Sequence, residues 1–267
     1  MRERMCVCGL GKVGRPILDT FRMKGFQAIG YDINPALTEA ELSDAVEGSD
    51  AAVFIVPTPS NPNGSFSNLM LRDAIVAFHR RTILTGRKDY LYIVTSTTTP
   101  RSCDEFRQTI GDNLVYKPEY IRLEFVRGDL LCPPLILIGE ASKAAGDRAE
   151  AIYKAVVDVP VFRMTLLEAE LAKITLNCAL TMKISLANQL HLVATKMGAN
   201  AERIMEAVGA DPRIGKQYLF PGRPFAGPCL PRDNKNFRYV AAREGIDACL
   251  SWAADRINET MGYHAEE

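Results

Sequence analysis

Short apolar runs alternate with polar, helix-like stretches through the first half of the chain. Several of these runs are apolar on both faces, as expected for strands of a parallel sheet that is buried between helices. The alternation predicts an N-terminal Rossmann-like domain, a doubly wound parallel α/β sheet, over residues 1–164. The predicted strands are MCVCGL, QAIGYD, AAVFIV, YLYIVTS, NLVYKP, PLILIG and VPVFRM.

The second half of the chain is helical in pattern. From residue 165 to 197 one helical pattern runs without proline or glycine, and its apolar residues cover more than one face. We expect this helix to join two domains and to carry a homodimer interface. Shorter helices are predicted at 201–208, 234–244 and 248–259, so residues 165–267 are expected to form the long helix and a small all-helical catalytic and dimerisation domain.

Composition narrows the possible partners. Lys plus Arg and Asp plus Glu both number 32, and this balance argues against nucleic acid as a partner. No run approaches the ~20 apolar residues of a membrane span, and the chain start lacks the apolar run of a signal peptide, so we expect a cytoplasmic protein with no membrane partner. The seven scattered cysteines are expected to be free thiols. No metal site is predicted, because His79, His191 and His264 lack acid or cysteine partners at ligand spacing.

A glycine-rich turn follows the first predicted strand. Gly9, Gly11 and Gly14 form GxGxxG directly before a helical stretch, and Asp32 ends the second strand. Such glycines let the backbone approach a pyrophosphate at a helix N-terminus, while the acid binds the adenosine ribose. An acid there repels a 2′-phosphate, so NAD is favoured over NADP. The alternative is a plain glycine turn with a solvated Asp32.

Two further features carry possible chemistry. Lys173 and Asn177 stand at i and i+4 on the long helix, where a lysine can stabilise an oxyanion and an amide can hold the lysine or a water. Cys229 lies between two prolines and is followed by Arg232, a cation that favours thiolate, and by Asp233. From local sequence alone, KxxxN is also ordinary helix surface, and most lone cysteines are inert.

Taken together in order, these motifs resemble the UDP-glucose/GDP-mannose 6-dehydrogenase family of nucleotide-sugar dehydrogenases. The resemblance spans the family's N-terminal and central domains. The most specific block is DPRIG at 211–215 followed by GPCLPRD at 227–233. The other matching segments are GLGKVG at 9–14, VPTP at 56–59, STTTPRS at 96–102, KPEYIRLE at 117–124 and AELAK at 169–173, which continues to Asn177.

The resemblance implies NAD-dependent, four-electron oxidation of a primary alcohol of a nucleotide-linked sugar, or of a related nucleotide alcohol, to the carboxylate. Cys229 would be the nucleophile, forming a thiohemiacetal and then a thioester that water cleaves. Lys173 would stabilise the oxyanions, while Asn177 and Asp233 would orient Lys173 and water.

The resemblance also implies roles around this centre. Thr97 would hold a water near the nicotinamide, Glu119 would assist thioester hydrolysis, and Arg213 would reach the substrate of the neighbouring subunit. The implied cofactor-binding residues are Gly9, Gly11, Lys12, Val13, Gly14, Asp32, Pro57, Thr58, Thr97 and Arg232. The implied substrate-binding residues are Tyr120, Arg122, Lys173, Asn177, Arg213, Phe225 and Gly227.

Some positions depart from the family pattern. The family's second catalytic glutamate falls on Leu123, with Glu124 one place later, so either the register shifts locally or hydrolysis relies on Glu119 alone. Lys117 replaces an asparagine, and Arg232 replaces a lysine. The chain ends at residue 267, before the family's third domain, so a short form lacking the C-terminal domain is expected.

Two other functions remain open on the sequence. A two-electron dehydrogenase resembling the 3-hydroxyacid dehydrogenases would also combine a Rossmann domain with lysine and asparagine at i and i+4, and would not need Cys229. A catalytically degenerate protein that binds NAD or a nucleotide sugar would accommodate Leu123 and the missing third domain.

Overall fold

The computed structural model describes residues 2–263, and the predicted non-ligand His264 lies outside them. Within this described range the chain forms seven strands and ten helices. The strands are β1 Met5–Cys8, β2 Ala28–Tyr31, β3 Ala51–Phe54, β4 Leu91–Val94, β5 Leu114–Tyr116, β6 Ile136–Glu140 and β7 Val161–Thr165. The helices are α1 Gly14–Met23, α2 Leu42–Glu47, α3 Leu69–Leu84, α4 Ser102–Ile110, α5 Val126–Leu131, α6 Lys143–Lys154, α7 Leu166–Met197, α8 Ala201–Ala210, α9 Leu230–Arg243 and α10 Cys249–Thr260.

The strands form one sheet in the order β2-β1-β3-β4-β5-β6-β7, which confirms the predicted Rossmann-like α/β fold. Each of the seven predicted strands is present. The expectation of a parallel sheet is wrong at β5–β6, where Val115 pairs antiparallel with Glu140; β6 and β7 then run parallel to each other. A strand buried on both faces has the same apolar pattern in either direction, so its sequence does not encode this reversal.

The centre of the sheet is fully buried, and this sets where a ligand can bind. All residues of β1, β3 and β4 are buried. Helices α1, α5 and α6 contribute Leu18, Phe21, Leu130 and Ile152 to the same core, and burial of such side chains stabilises the fold by roughly 1.5–3 kcal/mol each. Because β1, β3 and β4 run parallel, the loops that follow them all leave the sheet at its carboxyl end, where α/β proteins bind their ligands.

The chain divides into two compact units. The N-terminal unit comprises the chain up to Pro59 and Phe66–Leu171, and the C-terminal unit comprises Ser60–Ser65 and the chain from Ala172 onward. Helix α7 covers the predicted long helical stretch almost residue for residue. Helix α9 begins at residue 230, four residues before its predicted start, because Pro231 fits a first helical turn that does not need its N–H.

None of the helices within residues 2–263 combines the length and the apolar character required to cross a bilayer.

Candidate functional site

The loop between β1 and α1 requires its glycines for different reasons. Gly9 has φ +98°, and a Cβ there would lie 2.2 Å from the carbonyl oxygen of Ile55. A Cβ on Gly14 would lie 1.7 Å from the carbonyl oxygen of Gly9. Around Gly11, in contrast, no protein atom lies within 4 Å of the place a Cβ would take. The protein itself therefore excludes side chains at two of these positions, and at Gly11 the backbone is open to a ligand.

The surroundings of this loop suit a dinucleotide. Helix α1 begins without a side-chain cap. The Arg15 amide already donates to the carbonyl oxygen of Gly11 and residue 16 is a proline, so the N–H groups of residues 12–14 are the ones that can bind an anion such as a pyrophosphate. Asp32 Oδ2 accepts a hydrogen bond from the Leu10 amide at 2.7 Å, and the remaining lone pairs of the carboxylate can accept ribose hydroxyls. Lys12 is exposed and Val13 half-buried beside the loop. These residues can hold the pyrophosphate and the ribose.

The loops after β3 and β4 are tied together. The Thr58 hydroxyl donates to the carbonyl oxygen of Thr97 at 2.7 Å. The Ser96 hydroxyl accepts from the amide of Val56 at 2.9 Å and donates to its carbonyl oxygen at 2.7 Å. Pro57 is exposed and Thr97 half-buried. Hydrogen bonds thus connect the two loops that carry these predicted cofactor-binding residues.

A buried carboxylate anchors the turn between β4 and α4. Glu170, which is 0% exposed, accepts hydrogen bonds from the Thr98 hydroxyl at 2.8 Å, the Arg101 amide at 2.8 Å and the Cys103 amide at 3.0 Å. Burial raises the pKa of Glu170 to about 7, although these hydrogen bonds favour the charged form. The sequence motif contained Glu170 but suggested no role for it; the structure places it at the N-terminus of α4.

Glu119 lies in a buried ion pair. Its carboxylate binds the ammonium of Lys117, which also lies 4.4 Å from the centroid of the Tyr153 ring. These groups line a cavity of about 20 Å³, large enough for a single water. Burial, followed by the charge of Glu119, raises the pKa of Tyr153. Leu123 and Glu124, between which the family's second glutamate was uncertain, are both exposed.

The two predicted substrate residues of the N-terminal unit differ in setting. Burial raises the pKa of Tyr120 to about 12, so its hydroxyl stays protonated. Arg122 donates to both carboxylate oxygens of Asp129, at 3.0 and 2.7 Å. Their contacts with substrate stay predictions.

The C-terminal unit brings together four of the predicted catalytic residues. Lys173 and Asn177 are buried on α7, 8% and 7% exposed. The Asn177 amide donates to Asp233 Oδ2 at 2.6 Å, and Asp233 is buried in the first turn of α9. Cys229 directly precedes the same helix, and its carbonyl oxygen accepts a hydrogen bond from the Asp233 amide at 2.9 Å. One helical turn of α7 and one of α9 thus carry the lysine, the asparagine, the aspartate and the thiol.

The electrostatics of this cluster oppose ionisation of the thiol. Burial raises the pKa of the Cys229 thiol, and the charge of Asp233 raises it further, while Lys173 and Arg232 lower it. Arg232 thus acts in the direction expected from the sequence, but burial outweighs it. Burial also raises the pKa of Asp233, which Lys173, Arg232 and the hydrogen bond from Asn177 counteract. A neutral thiol therefore lies beside a carboxylate that can take up a proton.

The remaining predicted substrate residues lie on loops of this unit. Arg213 is exposed and its guanidinium binds the Asp211 carboxylate at 2.6 Å. Gly227 is exposed with φ +80°, and apart from its chain neighbours no atom lies within 4 Å of the position that a Cβ would take. Phe225 is 3% exposed and packs with Ile184 and Ala254. The Phe225 ring belongs to the core and anchors its loop, and its contact with substrate stays a prediction.

Comparison with known proteins agrees with this arrangement. A GDP-mannose 6-dehydrogenase of Pseudomonas putida is 26% identical over 99% of this chain and 70% of its own length. A UDP-glucose 6-dehydrogenase of Haloferax volcanii is 28% identical over 96% of this chain and 69% of its own length. The structure of a UDP-glucose dehydrogenase from the hyperthermophilic archaeon Pyrobaculum islandicum superimposes with a TM-score of 0.89 at 28% identity, covering 97% of this chain and 68% of that one.

Both compact units match one family. Residues 37–157 match the NAD binding domain of the UDP-glucose/GDP-mannose dehydrogenase family, and residues 167–260 match its central domain. The open backbone at Gly11, the uncapped start of α1 and the Asp32 carboxylate suit the NAD that these dehydrogenases use. The chain is a member of the UDP-glucose/GDP-mannose dehydrogenase family, with NAD as its cofactor.

Proposed function

We propose that this protein oxidises a primary alcohol of a nucleotide-linked sugar, or of a related nucleotide alcohol, to the carboxylate by a four-electron reaction. The observation that carries the proposal is the cluster of Cys229, Lys173, Asn177 and Asp233 in the C-terminal unit, joined by the hydrogen bond from Asn177 to Asp233. A two-electron oxidation would need an oxyanion-stabilising lysine but no thiol. The thiol beside the carboxylate favours the longer reaction.

Bound NAD supplies a hydride acceptor for each of the two oxidations. Gly11 and the start of α1 would hold its pyrophosphate and Asp32 its ribose, while Pro57, Thr58 and Thr97 would border the nicotinamide end. The hydrogen bonds that Thr58 and Ser96 make between the loops after β3 and β4 would keep these loops in place as NAD exchanges between the two oxidations.

The chain's own groups account for the remaining steps. The alcohol loses a hydride and a proton to give an aldehyde, with Lys173 stabilising the developing alkoxide. The sulfur of Cys229 then bonds to the aldehyde carbon, and the S–H proton passes by way of Asp233 to the carbonyl oxygen, which becomes the hydroxyl of a thiohemiacetal. Loss of a second hydride and of the hydroxyl proton gives a thioester. Water attacks the acyl carbon and the C–S bond breaks; one water proton restores the Cys229 thiol, and the product acid leaves as the carboxylate after losing the other proton to solvent.

The balance of this reaction sets the first experiment. NADH formed per mole of substrate consumed should be two, with a carboxylate product, for one member of a panel containing UDP-glucose, GDP-mannose and UDP-N-acetylhexosamines. One NADH per substrate would instead identify a simple alcohol dehydrogenase. Binding of NAD by calorimetry without turnover of any panel member would identify a binding protein.

The covalent role of Cys229 has a matched control. Cys229→Ala should abolish acid formation, because no thioester can form. Cys249 is exposed in the same unit but lies at the start of α10, so Cys249→Ala should leave the rate unchanged. Acid production by Cys229→Ala at the rate of Cys249→Ala would refute the thioester route.

We also propose that the protein is a homodimer that pairs through α7. The helix exposes apolar side chains along its length, among them Leu186, Val193 and Met197, which are 53%, 49% and 78% exposed. A pairing surface there would bury them. Light scattering after size-exclusion chromatography should give twice the chain mass of 29.5 kDa, and Leu186→Glu should shift it towards the monomer. In such a dimer, Arg213 would act on the partner's substrate.

A further inference from the structure

Two buried asparagines each bind both the backbone N–H and the backbone carbonyl of one loop residue. Asn188 on α7 donates to the carbonyl oxygen of Arg223 at 2.9 Å and accepts from its amide at 3.1 Å. Asn258 on α10 donates to the carbonyl oxygen of Phe225 at 2.8 Å and accepts from its amide at 2.7 Å. The asparagines are 0% and 2% exposed. A side-chain amide used in this way replaces a neighbouring strand for the residue that it binds.

The loop so held has no regular structure of its own. Residues 223–226 belong to no helix or strand, and prolines stand at 221, 224 and 228. After Phe225 the chain becomes exposed, from Ala226 through Cys229, until α9 begins. The exposed stretch is thus held upstream by the two asparagines and the buried Phe225 ring, and downstream by the first turn of α9.

We propose that Asn188 and Asn258 are positioning residues that fix the main chain leading to Cys229, and so place its sulfur for attack on the substrate carbon. The placement of the sulfur matters for catalysis only if the proposed thioester function is correct, whereas the fixing of the loop does not depend on it. The two asparagines touch neither the thiol nor the Lys173 cluster in the contacts described above. They act through the loop backbone, and their four hydrogen bonds to Arg223 and Phe225 form the clamp.

The residues that the asparagines hold lie close to the thiol along the chain. Cys229 is four residues beyond Phe225, so a shift of the anchored backbone is transmitted to the sulfur through a short exposed segment. A misplacement of about 1 Å at a reacting atom can reduce a rate by about 100-fold. Cys229 is exposed as a residue, yet partial burial of its thiol and the charge of Asp233 raise its pKa. Loss of the hydrogen bonds from Asn188 and Asn258 should let the thiol leave this position, which should lower its pKa and speed its reaction with an alkylating reagent.

The first test uses the unmodified protein. Amide hydrogen exchange followed by NMR should show the Arg223 and Phe225 amides exchanging at least about tenfold more slowly than those of Ala226 and Gly227. Equal exchange of the four amides would overturn the proposal, whatever the fate of any variant. This measurement requires neither substrate nor cofactor.

The second test compares Asn188→Ala and Asn258→Ala with a matched control. Ser185→Ala removes another buried bond between α7 and α10, from the Ser185 hydroxyl to the carbonyl oxygen of Ala254 at 3.0 Å, without touching the loop. Alkylation of Cys229 by iodoacetamide at pH 8, followed by peptide mass spectrometry, should accelerate at least about threefold in the asparagine variants only. Cys132, exposed in the N-terminal unit, serves as internal reference.

Turnover separates positioning from general destabilisation. At a temperature where circular dichroism shows each variant folded, kcat for acid formation should fall by about 10–100-fold in the asparagine variants, with KM changed much less. Alkylation of Cys229 within twofold of the unmodified rate in both folded variants would overturn the proposal. If the unmodified protein forms no acid, the proposed function fails, and exchange and alkylation still decide whether the clamp exists.

Discussion

Replacement of Glu170 by glutamine should remove a large part of the pH dependence of stability. The folded carboxyl has a pKa of about 7, against an ordinary value of 4.5. Between these values the native state keeps the proton and the unfolded chain has lost it. The unfolded state therefore binds fewer protons, and stability falls as pH rises through this range. A glutamine does not titrate, so Glu170→Gln should lack this decline.

The magnitude follows from the two pKa values. A difference of about 2.5 in pKa corresponds to about 3.4 kcal/mol between full protonation and full ionisation. From pH 5 to pH 8 the unmodified protein should lose about 2.5 kcal/mol relative to Glu170→Gln. The burial of the carboxylate drives this loss, and the hydrogen bonds from Thr98, Arg101 and Cys103 limit it.

Urea unfolding at pH 5, 6, 7 and 8 measures the effect. Glu168→Gln is the matched control, since Glu168 is two residues earlier on α7, exposed, and has a lowered pKa caused by hydrogen bonds from Thr165. Because Glu168→Gln retains Glu170, it should keep the full decline in stability between pH 5 and pH 8. A constant difference in free energy of unfolding between the unmodified protein and Glu170→Gln across this pH range would refute the reasoning.

Other predictions follow from single contacts. Asp233→Asn removes the charge that raises the pKa of the Cys229 thiol, so the pH midpoint of Cys229 alkylation should fall; an unchanged or higher midpoint would count against this. Arg101 has φ +83°, so Arg101→Gly should exceed Arg101→Ala in free energy of unfolding by about 1 kcal/mol, because alanine retains the left-handed strain; equal urea midpoints would contradict it. Lys117→Met alone should cost about 3–5 kcal/mol because it strands the buried Glu119 carboxylate, whereas Lys117→Met with Glu119→Leu should cost much less. Equal losses of unfolding free energy in the single and the double variant would argue against a buried pair. Acid formation by the double variant would report whether Glu119 assists hydrolysis.

Much of the fold could be predicted because burial leaves a direct mark on sequence. Strands β1, β3 and β4 are buried on both faces and therefore appear as continuous apolar runs. The direction of β6 leaves no such mark, since pairing direction depends on how the chain returns to the sheet. The early start of α9 was missed because Pro231 is compatible both with a turn and with a first helical turn.

The site was predictable where chemistry is concentrated in motifs. Lys173, Asn177 and Asp233 do meet in one cluster, although the motifs that contain them are far apart in the chain. The role of Asn258 could not be predicted from sequence, because it binds backbone atoms that any residue except proline would offer at 225. A buried polar residue in an otherwise apolar helical stretch, as at Asn188, is the signal that could have pointed to the clamp.

The unequal surroundings of the three loop glycines bear on how loss-of-function alleles would differ. Gly9 and Gly14 are enclosed by the protein, so alleles that add a side chain at either position should deplete the protein from the cell. An allele at Gly11 meets open space and should leave a full amount of folded protein that has lost its cofactor. A growth screen would score these alleles alike, and an immunoblot would separate them.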